Sequence, residues 1–257
     1  MNGRENAQRA SAPALVVDRV AKSFGGIEAV RDVSFVVGAG EMVAVIGPNG
    51  AGKTTLFNLV NGQLAPDGGT ITLLGRRIDG LPSRTIARSG IGRTFQIAAT
   101  FASMSVRENV QIALAAHAGE QRRVTARAAD LHVKEADALL ERVGLSALAD
   151  QGCATLAYGD AKRIELALAL ANAPKLLLMD EPTAGMPMPA RASLMLLVAD
   201  LARTEGIAVL FTEHDMDVVF GHANRIIVLD RGGVVTEGAP DAIRADPRVQ
   251  AVYLGTA

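Results

Sequence analysis

The chain has a single cysteine, Cys153, and no tryptophan among its 257 residues. One cysteine excludes an intramolecular disulfide framework and fits a reducing compartment. No run of about 18 apolar residues occurs, so no bilayer span is expected. The nearest approach, 166–179, is broken by Asn172, Pro174 and Lys175. Charge of one sign is also missing. The net charge of −1 excludes a broad basic field that would recruit nucleic acid or an anionic lipid surface. Internal repeats and low-complexity linkers are absent. Residues 1–14 lack an apolar signal core and read as a flexible N-terminal tail. What remains is an ordinary soluble composition, 49% hydrophobic and 21% charged, long enough to bury a substantial core.

The most informative segment is Gly47, Pro48, Asn49, Gly50, Ala51, Gly52, Lys53, Thr54 and Thr55. It fills the pattern G-x-x-x-x-G-K-[ST] between an apolar run, 42–46, and a helix-like stretch, 54–61. The glycines let successive backbone N–H groups turn inward as an anion nest, and the new helix adds its positive end. Lys53 brings a full charge to where the β- and γ-phosphates would lie. Thr54 offers a hydroxyl to Mg²⁺.

Around this loop the chain alternates strand and helix patterns. Segments 16–24 and 33–37 read as antiparallel strands, 41–46 as the buried strand feeding the loop, 69–74 as another. A short helix at 83–89 and a strand at 91–95 follow. Segments 109–116, 126–143 and 159–173 read as helices. Strands return at 175–179, 207–212, 225–230 and 234–237, with helices at 190–204 and 215–222 between them. This predicts an α/β fold with a mostly parallel core sheet and crossover helices, an antiparallel β subdomain, and a helical subdomain inserted at about 97–170.

Other chemical groups sit at strand ends. In LLLMDEP, 176–182, Asp180 closes an apolar strand, as P-loop proteins place a carboxylate near Mg²⁺. Glu181 follows at once, expected on the opposite side of the pleat, placed to take a proton from water. Gln96 ends the strand 91–95. By itself it reads as an ordinary strand-end glutamine, the other reading being a Mg²⁺ ligand or a holder of the lytic water. His214, after the strand 207–212, alone reads as a surface or capping residue, the other reading being a donor to the γ-phosphate. His117, His132 and His222 read as surface or packing residues.

Taken in order, these stations resemble the nucleotide-binding subunit of ABC transporters, from about residue 15 to the C-terminus. GPNGAGKTT resembles Walker A, RTFQ the glutamine loop, Leu156-Ala157-Tyr158-Gly159-Asp160 the signature, LLLMDEP Walker B, TAGMPM the D-loop and TEHDM the switch-histidine segment. The resemblance implies a P-loop NTPase ABC cassette over 15–257, with ATP and Mg²⁺ as cofactors. ATP would lie between Walker A of one cassette and the signature of a second, packed head to tail. Glu181, His214 and Gln96 would be catalytic, Thr54, Gln96 and Asp180 would hold the metal, and Phe24 would stack on adenine. Phe24 as a strand-end core residue is the other reading. The signature departs from the common LSGGQ form. Ala157 lacks the usual serine hydroxyl, Tyr158 replaces a glycine and Asp160 a glutamine, so a site using it is expected to close less tightly.

GRTFQ, LAYG with KRIELALAL behind it, and the ending AVYLGTA are similar to the branched-chain (hydrophobic) amino-acid importer group. That implies a peripheral protein on the cytoplasmic face of the inner membrane. Its partners would be a second cassette, a different one in the assembled transporter or a copy of itself when alone, two membrane permease subunits and, indirectly, a periplasmic or extracellular solute-binding protein, with no nucleic acid. Segment 98–109 would form the groove for a permease coupling helix, with Phe101, Met104 and Val106 exposed, the other reading being that they pack inside the helical subdomain. Two further readings stay open: an ABC ATPase acting outside transport, and a nucleotide-dependent scaffold with weak hydrolysis.

Overall fold

A computed structural model describes residues 12–94, 100–120 and 131–254, with the side chains of 253 and 254 not described. Two sheets form the frame. The first is antiparallel, in the order β2-β1-β4-β5, from β1 (Leu15–Phe24), β2 (Ile27–Val37), β4 (Gly68–Leu73) and β5 (Arg76–Arg77). The second has the order β10-β9-β3-β8-β7-β6, from β3 (Met42–Ile46), β6 (Ile91–Thr94), β7 (Leu176–Asp180), β8 (Ala208–Thr212), β9 (Arg225–Asp230) and β10 (Gly233–Gly238). Its pairs are parallel except β9–β10.

Alternation of side chains across the second sheet divides the core in two. Val43, Val45, Leu176, Leu178, Leu210, Ile227 and Leu229 face the antiparallel sheet and α1 (Lys53–Val60). Ala44, Ile46, Leu177, Met179, Val209, Phe211 and Val228 face the helices. All five residues of β3 are buried, which is why the strand is a continuous apolar run rather than an alternating one.

Between β6 and β7 the described chain is helical: α3 (Val106–Ala118), α4 (Val133–Arg142) and α5 (Tyr158–Leu170), with 3₁₀ turns at Ser146–Leu148 and Cys153–Thr155. After β7 come α6 (Met188–Glu205), α7 (Met216–His222), α8 (Pro240–Ala245) and α9 (Pro247–Leu254); α2 (Ser83–Arg88) precedes β6.

Several boundaries differ from the pattern-based expectation. Helix α3 begins three residues earlier than Asn109, because Ser105 and Glu108 form a reciprocal cap: the Glu108 N–H donates to Ser105 Oγ (3.2 Å) and the Ser105 N–H to Glu108 Oε2 (2.7 Å). This S-x-x-E signature is legible in the sequence. Helix α4 starts at Val133 rather than 126, since His132 precedes it in a left-handed conformation (φ 54°); residues 126–130 lie outside the described residues. Strand β2 runs from Ile27, not Val33, and β5, α8 and α9 were not expected. Ala14 is buried and its N–H donates to Val37 O (2.8 Å), so ordered packing begins before β1.

One polar pair lies inside the helical layer. Lys162 Nζ sits 3.1 Å from Glu165 Oε2 on α5, both side chains 5% exposed. Burial raises the Glu165 carboxyl above its ordinary value, and Lys162 pulls it part of the way back. Lys162→Met leaves a buried carboxylate without its cation, so a loss of about 3–5 kcal/mol is expected in denaturant titration. A buried acid with a raised value is better tolerated when protonated. The deficit relative to wild type should therefore be smaller at pH 5 than at pH 8; an equal deficit at both would contradict this.

Candidate functional site

The loop between β3 and α1 is shaped by its glycines. Gly50 (φ 82°) and Gly52 (φ 102°) occupy left-handed backbone. A Cβ on Gly52 would stand 2.3 Å from Ala29 O, so the close approach of β2 to this loop requires glycine as well. The Ala51 N–H closes a turn onto Pro48 O (3.1 Å). Lys53, the first residue of α1, folds its ammonium back over the loop and donates to Gly47 O (2.6 Å) and Pro48 O (3.1 Å). Burial lowers its pKa from the ordinary lysine value, while Glu181 and Asp180 pull it back up. The loop opens on a cavity of about 330 Å³ lined by Ala29, Asn49 to Thr55, Glu181 and His214.

Parallel strands bring two carboxylates to the same edge. Asp180 ends β7 opposite Thr212, which ends β8. The Thr212 hydroxyl donates to Asp180 Oδ1 (2.7 Å) and accepts from the Glu181 N–H (3.1 Å). Glu181 is not on the pleat, contrary to the expectation that strand alternation aims it. The strand stops at Asp180 and Glu181 takes a left-handed conformation (φ 50°), which turns its side chain toward the loop and His214. His214 Nε2 lies 2.9 Å from Glu181 Oε1.

Three supporting residues escaped the sequence reading. Thr212 is the first. Arg93, on β6, places Nη2 3.7 Å from Asp180 Oδ2 and Nη1 2.9 Å from Asn58 Oδ1 on α1. Glu213 is buried and accepts from both the backbone N–H and the hydroxyl of Thr183 (2.7 Å each). A polar residue inside an apolar strand, as Arg93 and Thr212 are, was the available signal.

These residue types fit a magnesium-bound nucleotide. The loop offers N–H donors and an ammonium for phosphate oxygens, and Thr54 and Asp180 offer hard oxygen ligands beside it. Comparison with known proteins decides the family. The family model described as ABC transporter matches residues 30–184. The chain belongs to the ABC transporter family. A second model, the branched-chain amino acid ATP-binding cassette transporter, matches residues 234–257. The chain is 40% identical to LivG of Salmonella typhimurium, a high-affinity branched-chain amino acid transport ATP-binding protein, covering 96% of this chain and 100% of that one. It is 39% identical to the corresponding BraF of Pseudomonas aeruginosa, with the same coverage. Among solved structures, the ADP conformation of an ATP-binding cassette of an ABC transporter superposes with a TM-score of 0.84 at 28% identity, covering 96% of this chain and 100% of that one. A dimeric post-hydrolysis cassette bound to ADP and Pi gives 0.74 at 26%, covering 88% and 98%.

As an ABC ATPase the chain binds nucleotide, and not every expected contact gathers at one cavity. Asn49 to Thr55, Glu181 and His214 do, and Asp180 adjoins them through Thr212. Leu156, Ala157, Tyr158, Gly159 and Asp160 do not line it; they sit at the start of α5, with Ala157 and Tyr158 exposed. Phe24, at the end of β1, is 46% exposed and lies under Lys22 Nζ at 5.6 Å, outside the cavity wall. Exposure excludes the core-residue reading of Phe24. Gln96 lies outside the described residues.

A second, more apolar cavity of about 280 Å³ lies between β6, α3 and α5, where Phe101 lines it beside Asn109, Ile112 and Leu168. Phe101 is 56% exposed, in line with its expected exposure, but Val106 is fully buried. The expectation of an exposed Val106 is therefore wrong: it is the first residue of α3 and packs into the helical core. Among the described residues no helix is long and apolar enough to cross a membrane.

Proposed function

We propose that this ABC ATPase powers an importer of branched-chain or other hydrophobic amino acids. The observation that carries the cargo class is whole-length similarity to LivG and BraF, joined by the C-terminal match at 234–257. In this reading Phe24 stacks on adenine, and Gly47, Pro48, Asn49, Gly50, Ala51, Gly52, Lys53, Thr54 and Thr55 cradle the phosphates. Thr54, Asp180 and Gln96 hold Mg²⁺, which when bound offsets charge on the phosphate oxygens.

Glu181 takes the proton of the attacking water, and its left-handed backbone with the His214 contact fixes the angle of approach. Lys53 balances charge that develops on the γ-phosphate. The segment Leu156 to Asp160 stands away from the chain's own cavity, which supports its serving a second cassette packed head to tail. The cavity beside Phe101 receives a segment of a membrane subunit. The protein would thus lie peripherally on the cytoplasmic face of the inner membrane, with two permeases, a partner cassette and a solute-binding protein.

Reconstitution with those partners tests this. Leucine-loaded binding protein should stimulate ATP hydrolysis and drive leucine uptake, whereas a polar amino acid should not. Equal stimulation without any hydrophobic amino acid would overturn the cargo reading.

A further inference from the structure

Tyr158, at the place where the common LSGGQ form has a glycine, turns its side chain onto its own chain. It opens α5, and its Oη donates to the carbonyl oxygen of Ala184 at 3.0 Å. Its ring covers Gly185, where a Cβ would meet Oη at 3.5 Å and the ring carbons at 3.6 Å; Gly185 is left-handed (φ 76°). The segment so covered is the turn that follows Glu181. The Ala184 N–H donates to Glu181 O (3.1 Å) and the Met186 N–H to Thr183 O (3.0 Å). Other grips on this turn come from Glu213, just after β8, and from α6. Glu213 holds Thr183. Arg191 Nε donates to Met186 O (2.5 Å) and pairs with Asp215, the residue after His214. Tyr158 adds a grip from the start of α5.

We propose that Tyr158 is a positioning residue whose hydroxyl fastens the start of α5 to the turn carrying Glu181, so that displacement of α5 is passed to the Glu181–His214 pair. This rests on the reading of Glu181 as the base. A glycine at 158 has no side chain to reach Ala184. A tyrosine spans the gap and leaves the α5 backbone N–H groups to the partner cassette.

Tyr158→Phe keeps the ring on Gly185 and under Lys162, whose Nζ lies 5.8 Å from its centroid, and deletes one donor. In the full chain, alone and in the assembled transporter, kcat for ATP hydrolysis should fall roughly five- to tenfold with KM for ATP within about twofold. Amide exchange at Gly185 and Met186 should quicken while the melting temperature holds. Wild-type kcat and exchange would overturn the proposal. So would a loss confined to KM, which marks a nucleotide contact, or a kcat loss tracking a lowered melting temperature, which marks general destabilisation. Glu181→Gln is the control. If it hydrolyses ATP normally the base assignment fails, and exchange in Tyr158→Phe still decides the fastening.

Discussion

Glu181→Gln should lower ATP turnover by about 10²–10⁴-fold, the range a positioned general base supplies, while nucleotide affinity stays within a few-fold. Glutamine matches glutamate in shape, so the left-handed backbone at 181 and the Thr212 contacts at its N–H survive. What disappears is the carboxylate proposed as the proton acceptor, 2.9 Å from His214. Equilibrium binding of a fluorescent ATP analogue and single-turnover hydrolysis separate the two effects. ATP should also accumulate a closed dimer of this variant, visible by size exclusion. Turnover near wild type would remove Glu181 from the chemistry and leave His214 or another neighbour of the phosphate to be sought.

The second large effect is expected at Lys53. Lys53→Ala removes the ammonium that now bridges Gly47 O and Pro48 O. Hydrogen bonds to charged groups are each worth about 1.5–3 kcal/mol, so triphosphate affinity should drop by at least about 10²-fold in calorimetry. The loop carbonyls also lose their donor, so the empty protein should melt slightly earlier. A pH dependence follows from burial, which lowers the Lys53 pKa. Affinity depends on the charged form, is full at neutral pH, and should decline on the alkaline side sooner than for an ordinary lysine. Undiminished triphosphate binding by the alanine variant would refute the phosphate-loop assignment.

Much of this site was legible because its chemistry sits on sharp local signals. Glycine spacing, lysine and hydroxyl in 47–55 are local, and the apolar runs 42–46 and 176–180 are bounded by recognisable turns. Helix ends were less legible. The start of α3 depended on a reciprocal cap at Ser105 and Glu108, which a search for apolar periodicity passes over. The direction of Glu181 could not be had from strand alternation, because a left-handed residue breaks the period at that point. Arg93 and Glu213 act through partners 87 residues or 30 residues away, and such pairings emerge only when β6, β7 and β8 lie side by side. Val106 shows the converse error, since an apolar residue near a charged stretch can as well be the first turn of a buried helix face.

The pairing of Asp180 with Thr212 across β7 and β8 ties the chemistry to the hydrogen-bond ladder itself. Asp180 stands on the last rung, and Glu181 and His214 follow one and two residues beyond the strand ends, so the placement of all three starts from where that rung falls. Distortion deep in the strands, at Leu178 or Leu210, should then blunt turnover by misalignment before it lowers the melting point.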